Sequence, residues 1–397
     1  MKVPEIRFEQ YKEPFKHVQL GNLTKKSKIL NKRGQNKNLL SLSYGKIVRK
    51  DIESKKGLLP GSFNSYQIIQ KNSIIFRCTD LQNDKKSLRV GLSMQEGIIS
   101  PAYIRMDCDT TQVLPEYLFN QLHYHDSVTK VYYTMGDGLR QTLSFEDLKE
   151  LDIYLPNFSE QQDIVNYFQS LDGIILSTTK KVEKLKQTKE ASFVAMFPQK
   201  GETKPKVRFK GFEAEYSSMT ASELFKTFDE RNHPELPVLS ACQDIRGMAP
   251  RSESGYDIFH DKSNEVIYKR VLPGQFVIHL RSFQGGFAHS SVEGICSPAY
   301  TVFGFKEDGK HDDYYWKYIF MSKAFIERLK LITYGIRDGR SISFKEFMEM
   351  DFVFPSYEEQ KQISMFFRTI DKQISLKEQK LESLKRIKSA CLDKMFI

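Results

Sequence analysis

His123-Tyr124-His125 offers two imidazoles two positions apart, a spacing that lets both reach one metal ion only on an extended strand. The surrounding residues have helical character, and on a helix side chains two apart diverge. Asp80 with Asp84-Lys85-Lys86 has the residue types of a nuclease centre, a pair of carboxylates with lysine beside them. The second half of the chain carries Gln284-Gly285-Gly286 in the corresponding loop, so the group reads as a charged surface loop. Cys78, Cys108, Cys242, Cys296 and Cys391 are scattered without a C-x-x-C pair, which signals neither a zinc site nor a disulfide framework and fits a reducing cytoplasm. No glycine-lysine phosphate loop occurs. The expectation is a chain without a metal site.

Ser100-Pro101-Ala102-Tyr103 and Ser297-Pro298-Ala299-Tyr300 come nearer to a catalytic pattern. Amino-methyltransferases grip a flipped base with a turn of the Ser-Pro-Pro-Tyr type, although here alanine replaces the second proline. Such an enzyme also needs a strand, a glycine loop and a helix to hold S-adenosylmethionine, and no Phe-x-Gly-x-Gly or comparable loop is present. Both turns are therefore expected to be structural, with no catalytic residue in the chain.

The elements that must position these residues are written twice. Leu143-Ser144-Phe145-Glu146 through Met196-Phe197 returns without a gap as Ile342-Ser343-Phe344-Lys345 through Met395-Phe396, 199 positions later. Gly97-Ile98-Ile99-Ser100-Pro101-Ala102-Tyr103 returns as Gly294-Ile295-Cys296-Ser297-Pro298-Ala299-Tyr300, and Pro4-Glu5-Ile6-Arg7-Phe8 as Pro205-Lys206-Val207-Arg208-Phe209. A repeat this long is a whole domain rather than a solenoid unit, so two similar domains present two similar surfaces. Each half reads as an α+β region followed by one long helix. Short β-rich runs at 73–77 and 275–279 are separated by Gly, Asn, Asp and Ser clusters. Aromatic helical patches at 115–122 and 313–321 precede the turns at 136–138 and 335–339, and strands at 151–155 and 351–354 close the domains.

Leu155-Pro156-Asn157 and Phe354-Pro355-Ser356 punctuate the helix starts with a proline and a capping side chain. Glu160 and Glu359 stand three residues after the caps, the reciprocal spacing of a capping box. Apolar positions then recur at helical spacing, among them Ile164, Phe168, Leu171 and Ile363, Phe367, Ile370. Each helix could run about 40 residues, on the order of 60 Å. A single apolar stripe of that length is too long to hide on one compact domain. The expected partner of each helix is the other, as an antiparallel coiled coil in a pseudo-two-fold arrangement that separates the two globular domains.

The 397 residues carry 60 Lys and Arg against 50 Asp and Glu, a net charge of +10, which favours a polyanionic partner. The hydrophobic content is 40%, and no apolar run approaches the roughly 18 residues of a membrane span. Met1-Lys2-Val3-Pro4 opens no apolar signal segment, so a soluble cytoplasmic protein without membrane contact is expected.

The paired pattern resembles the specificity (S) subunit of type I restriction-modification enzymes. Its carriers are Leu155-Pro156 to Glu160-Gln161 and Phe354-Pro355 to Glu359-Gln360, then Ile164 or Ile363, then Leu171-Asp172 or Ile370-Asp371, and the closing Met196-Phe197 and Met395-Phe396. The likeness spans essentially the whole chain. It implies target-recognition domains at 1–155 and 205–354, conserved helical regions at 156–197 and 355–397, and a linker at 198–204. It further implies that each domain reads one half of a bipartite target in double-stranded DNA while the helices set the spacer. Two methyltransferase (M) subunits, which carry S-adenosylmethionine, and restriction (R) subunits are the implied partners; this chain is expected to bind no cofactor itself.

Within that resemblance, Arg, Lys and Gln on loops are the residues that pair with base edges or phosphates. Lys46, Arg49, Arg77, Arg140 and Gln141 in the first half, and Arg246, Arg281, Gln284, Arg337 and Arg340 in the second, are the DNA-facing candidates, with Arg49 and Arg246 matched after Leu42-Ser43 and Leu239-Ser240. Ile164, Phe168, Leu171, Ile363, Phe367 and Ile370 are assigned to the helix seam, as intramolecular core or as methyltransferase contacts. The repeats differ strongly between their motifs, which disfavours a palindromic target. The competing readings are a stand-alone divergent DNA methyltransferase and a coiled-coil scaffold without DNA binding.

Overall fold

The computed structural model describes the chain except residues 1–2, 35, 51–59, 80–87, 136–141, 200, 243–246, 254–261, 280–285, 330–332 and 335–340, with backbone alone at 33, 253, 263, 333, 334 and 341. It divides into two compact units. One comprises Met1–Lys180 with Gln379–Ile397, the other Lys181–Glu378.

The first unit opens with strands β1 (Lys16–Gln19), β2 (Thr24–Ser27), β3 (Leu40–Ser43), β4 (Lys46–Arg49) and β5 (Gln67–Ile69). Strands β6 (Ile74–Arg77), β7 (Val90–Leu92), β8 (Gly97–Ile99) and β9 (Tyr103–Cys108) lead to helix α1 (Pro115–Tyr124). Short helices α2 (Tyr132–Met135) and α3 (Phe145–Lys149), strand β10 (Asp152–Leu155) and the long helix α4 (Phe158–Met196) follow. A six-stranded sheet runs in the order β2-β9-β6-β7-β4-β3, beside the two-stranded pairs β5-β8 and β1-β10. Ile74, Ile75 and Phe76 of β6 are all buried, as the apolar run at 73–77 implied.

The second unit repeats the plan. Its elements are β11 (Ser217–Thr220), α5 (Ala221–Leu224), β12 (Phe225–Phe228), β13 (Leu239–Ala241), β14 (Met248–Pro250), β15 (Lys269–Val271), β16 (Phe276–Ile278) and β17 (Phe287–His289). Then come β18 (Gly294–Cys296), β19 (Thr301–Phe305), α6 (Asp313–Met321), α7 (Lys323–Leu329), β20 (Thr333–Tyr334), β21 (Ser341–Ile342), α8 (Phe344–Met348), β22 (Asp351–Phe354) and α9 (Tyr357–Lys394). The sheet β12-β19-β16-β17 corresponds to β2-β9-β6-β7, and the pairs β13-β14, β15-β18 and β11-β22 to β3-β4, β5-β8 and β1-β10. The α+β class and the duplication expected from the sequence are both present.

Two glycines of the repeat show why its spelling is fixed. A Cβ on Gly97 would sit 2.6 Å from the Asn38 carbonyl oxygen, and one on Gly294 would sit 2.5 Å from that of Pro237. At these points a neighbouring backbone crosses, through the parallel bridges Leu39 to Ile98 and Val238 to Ile295. The Leu-Ser-Phe and Ile-Ser-Phe motifs are helix caps: Ser144 Oγ accepts from the Asp147 amide at 3.2 Å, and Ser343 Oγ from the Glu346 amide at 3.3 Å.

Each long helix is shared. The turns of α4 up to Lys180 belong to the first unit and those from Lys181 to the second, while α9 passes from the second unit to the first at Gln379. Within each unit the two helical segments run antiparallel. In the first, Tyr167 lies 3.2 Å from Cys391 and Asp172 2.5 Å from Lys388. In the second, Lys186 pairs with Glu378 and Lys189 with Asp371. Each domain's core is thus completed by the end of the helix that starts on the other. Phe396 packs on Tyr117, Tyr124 and Phe168 at 5.6, 6.2 and 5.9 Å, and Phe197 on Tyr315 and Phe367 at 5.3 and 5.7 Å. Burying a phenylalanine in this way contributes on the order of 2–3 kcal/mol.

Candidate nucleic-acid interface

The domains are fixed to their helices by a latch that occurs twice. Arg7 donates from Nε and Nη2 to the two oxygens of Glu160, both at 2.7 Å, and Arg208 donates to Glu359 at 2.9 and 2.7 Å. The capping expectation is half met at the first helix. Asn157 Oδ1 does accept from the Glu160 amide at 2.9 Å, but the Glu160 carboxylate turns to Arg7 instead of back to the cap. Both glutamates are fully buried, and a planar guanidinium satisfies a buried carboxylate with two bonds where a backbone amide offers one.

The adjacent glutamines extend the latch. Gln161 accepts from the Leu114 amide at 3.0 Å and donates to the Pro156 carbonyl at 3.2 Å. Gln360 accepts from the Asp312 amide at 3.0 Å and donates to the Pro355 carbonyl at 2.9 Å. The Glu-Gln pair therefore joins the N-terminal segment, the start of the domain helix and the start of the long helix. A change of angle between domain and helix would break several buried bonds at once.

Of the DNA-facing candidates, Lys46, Arg49 and Arg77 are described. Lys46 and Arg49 are exposed on β4, three positions apart and so on opposite faces of the strand. Arg77 is half-buried at the end of β6, opposite Tyr103. Arg140, Gln141, Arg246, Arg281, Gln284, Arg337 and Arg340 lie outside the described residues, as do Asp80 and Asp84-Lys85-Lys86.

The structure corrects the matching of Arg49 with Arg246. Leu40 pairs with Arg49 and Leu239 with Pro250, while Lys50 and Arg251 donate to the equivalent carbonyls of Leu39 and Val238. Pro250 is therefore the counterpart of Arg49. The connection between β13 and β14 spans 242–247, against Tyr44-Gly45 in the first unit, and this length difference shifts the sequence match.

The Ser-Pro-Ala-Tyr segments are tight turns between strands. Ser100 and Ser297 each accept from the backbone amide two residues on at 3.3 Å, and the Tyr103 and Tyr300 amides close the turns onto the serine carbonyls at 3.2 and 3.0 Å. Gln67 of β5 donates to the carbonyls of Ser100 and Tyr103, and Lys269 of β15 to that of Tyr300. These bonds account for the turns structurally.

His123 lies in the last turn of α1, whereas His125 lies just beyond it, bonded to Thr129 Oγ1 at 3.3 Å. Burial holds the pKa of each down at about 4. Burial also pushes Asp126 up to about 6, against the hydrogen bonds it accepts from the Arg89 and Val90 amides. Among the described residues no three His, Cys, Asp or Glu side chains are grouped to hold a metal ion. No described helix is long and apolar enough to cross a membrane.

Ile164, Phe168, Leu171, Ile363, Phe367 and Ile370 are all buried. Ile164 and Phe168 join the first unit's core with Leu392, Met395 and Phe396, and Ile363 and Phe367 join the second's with Met196 and Phe197. The exposed apolar side chains of the helices are others, including Leu176, Met365 and Leu376.

Two copies of one domain, each latched to a long helix and completed by the end of the other, define a duplicated two-domain protein. A family model for the type I restriction modification DNA specificity domain matches residues 12–187 and again 219–386, and the chain belongs to that family of specificity subunits. The S subunit of a type I restriction-modification system from M. genitalium shares the fold with a TM-score of 0.60 at 13% identity, over 100% of this chain and 99% of that one. The HsdS subunit from Thermoanaerobacter tengcongensis is similar with a TM-score of 0.46 at 16% identity, over 98% of each chain. A structure titled for complex assembly and conformational transition of the type I R-M system aligns with a TM-score of 0.49 at 16% identity, over 97% of this chain and 99% of that one. No curated protein sequence matches significantly.

Proposed function

We propose that this chain is the DNA sequence-recognition subunit of a type I restriction-modification complex, in which each domain reads one half of a bipartite, asymmetric target. The observation that carries the reading is the pair of domains of one topology and different surfaces, latched to shared helices by Arg7-Glu160 and Arg208-Glu359. In this reading the helices set the spacer between the two half-sites. The chain's charge of +10 suits a duplex, because each phosphate neutralised releases counterions.

In this reading the chain works in the cytoplasm, is not itself catalytic and binds no cofactor. S-adenosylmethionine and the methyl transfer belong to two methyltransferase subunits, with restriction subunits joining them for cleavage. Because the six seam residues are core, methyltransferase docking falls to exposed positions such as Leu176, Met365 and Leu376.

The test is co-expression with a type I methyltransferase subunit, gel filtration, and selection from a randomised duplex pool. The expected result is a stable complex that enriches a split, non-palindromic sequence. A complex that forms but shows no sequence preference would overturn the recognition role.

A further inference from the structure

The hairpin β3-β4 forms one end of the six-stranded sheet, and its turn is Tyr44-Gly45. Both residues have positive φ, 46° for Tyr44 and 75° for Gly45. Such turns match the twist of the flanking strands but take Asn-Gly or Gly-Gly by preference, since Cβ crowds its own backbone in this region. A tyrosine here is strained, and packing does not repay it, because the residue is 71% exposed. Gly45 is held differently. A Cβ there would lie 3.0 Å from Leu88 Cδ1, so the turn rests closely against Leu88 and presents Tyr44 outward.

The face behind the ring suits a polyanion. Ser41 pairs with Val48 and Ser43 with Lys46, which puts these four on one side of the hairpin, while Leu40 and Leu42 alternate to the buried side. Ser43, Lys46 and Val48 are all exposed. A two-stranded ribbon of this width fits a major groove, where an aromatic edge and an apolar side chain meet bases and a lysine behind them reaches phosphate.

We propose that Tyr44 is a specificity-determining residue of the first domain: the hairpin enters the groove of that domain's half-site, the Tyr44 ring contacts base edges, and Lys46 contacts a phosphate. This rests on the DNA-recognition reading above and names where one half-site is read. In the second unit β13 and β14 are joined by residues 242–247, none of which is a tyrosine. The effect is therefore confined to one half of the target.

The experiment uses the full chain in complex with its methyltransferase subunit and selects from a randomised duplex pool with wild type, Tyr44→Asn, Tyr44→Phe and Lys46→Ala. Tyr44→Asn supplies the residue the turn prefers, so the fold is kept or strengthened while the ring is lost. The expected result is a loss of about tenfold or more in discrimination at one half-site, with the other unchanged and Tyr44→Phe close to wild type. Lys46→Ala is expected to weaken binding to all sequences and to lower the salt slope by about one. If wild type selects a split target and Tyr44→Asn selects the same one with the same stringency, the assignment of Tyr44 is overturned while the recognition role stands. If wild type selects no sequence, the recognition role itself fails.

Discussion

Lys189 of α4 reaches Asp371 of α9 at 2.6 Å in the second unit. The same relationship holds in the first unit with the helices exchanged, where Lys388 of α9 reaches Asp172 of α4 at 2.5 Å. Both aspartates follow the apolar residue of the repeated Leu-Asp or Ile-Asp motif. The duplication has thus kept a pairing in which the early turns of one helix bind the late turns of the other. Asp371 also accepts from the Tyr318 hydroxyl at 2.8 Å and is the more buried of the two aspartates. Asp371→Ala should destabilise the second unit by about 2 kcal/mol, since it strands a lysine and the hydroxyl of the buried Tyr318. Asp172→Ala should cost less. Paired thermal unfolding of the two variants would check the order, and equal shifts would contradict it.

The latch makes a stronger prediction. Removing Arg7 leaves the Glu160 carboxylate without its bidentate partner inside the fold, a situation that typically costs about 3–5 kcal/mol. Arg7→Ala is expected at the lower end, because the arginine keeps some exposure and water could enter. Arg7→Lys should recover only part of the loss, since an ammonium cannot span both oxygens. Denaturant titration of the three proteins decides this, and a fully restoring lysine would show that charge alone matters.

Much of the fold was legible because its signals are local. The apolar run at 74–76 and the proline-and-cap starts of α4 and α9 need only neighbouring residues to be read. The latch was not legible, because Arg7 and Glu160 are far apart in sequence and Glu160 at a capping position has a sufficient local explanation. An antiparallel pairing of the helices was expected from their length, but the part of their last residues in the domain cores was not read. Met196-Phe197 and Met395-Phe396 are spelled alike, so sequence cannot say which domain each completes. Arg49 was matched to the wrong residue because a tight turn in one repeat corresponds to a longer connection in the other.

The exchanged ends should be energetically equivalent. Phe396→Ala removes a ring packed among Tyr117, Tyr124 and Phe168, and Phe197→Ala one packed among Phe193, Tyr315 and Phe367. Each should cost about 3–5 kcal/mol, the usual range for a core phenylalanine. Hydrogen exchange would separate them. Phe396→Ala should loosen amides in the first unit, including α1, and Phe197→Ala those of α6. A variant that loosened only the domain preceding its own helix would contradict the shared cores.

The glycines at the crossing backbones give a test of the repeat itself. Gly97→Ala and Gly294→Ala each place a Cβ within 2.6 Å of a carbonyl oxygen that cannot move away cheaply. Overpacking of this kind costs about 1–3 kcal/mol, and the two variants should be alike because the same bridge is strained in each. Gly173→Ala in the exposed part of α4 meets nothing within 4 Å and should be neutral or stabilising. Unfolding midpoints for the three would check the contrast, which fails if Gly173→Ala is the most damaging.

Acid should weaken the first unit. His123 and His125 are held at about 4 by burial, below the usual 6.5, so the unfolded chain takes up protons at a higher pH than the folded one. Stability from these two is complete above about pH 6.5 and is lost as pH falls towards 4, up to about 3 kcal/mol for each. Asp126 acts in the opposite sense. Its folded value of about 6 lies above the usual carboxylate value, so between roughly pH 4 and 6 the folded state binds the extra proton and gains stability on acidification. Two histidines outweigh one aspartate, and the net expectation is a fall in stability between pH 6.5 and 4. Replacing His123 with Gln should flatten that fall without changing stability at pH 8 by a comparable amount. Chemical denaturation across this range measures both, and a slope unchanged by the substitution would remove His123 from the account.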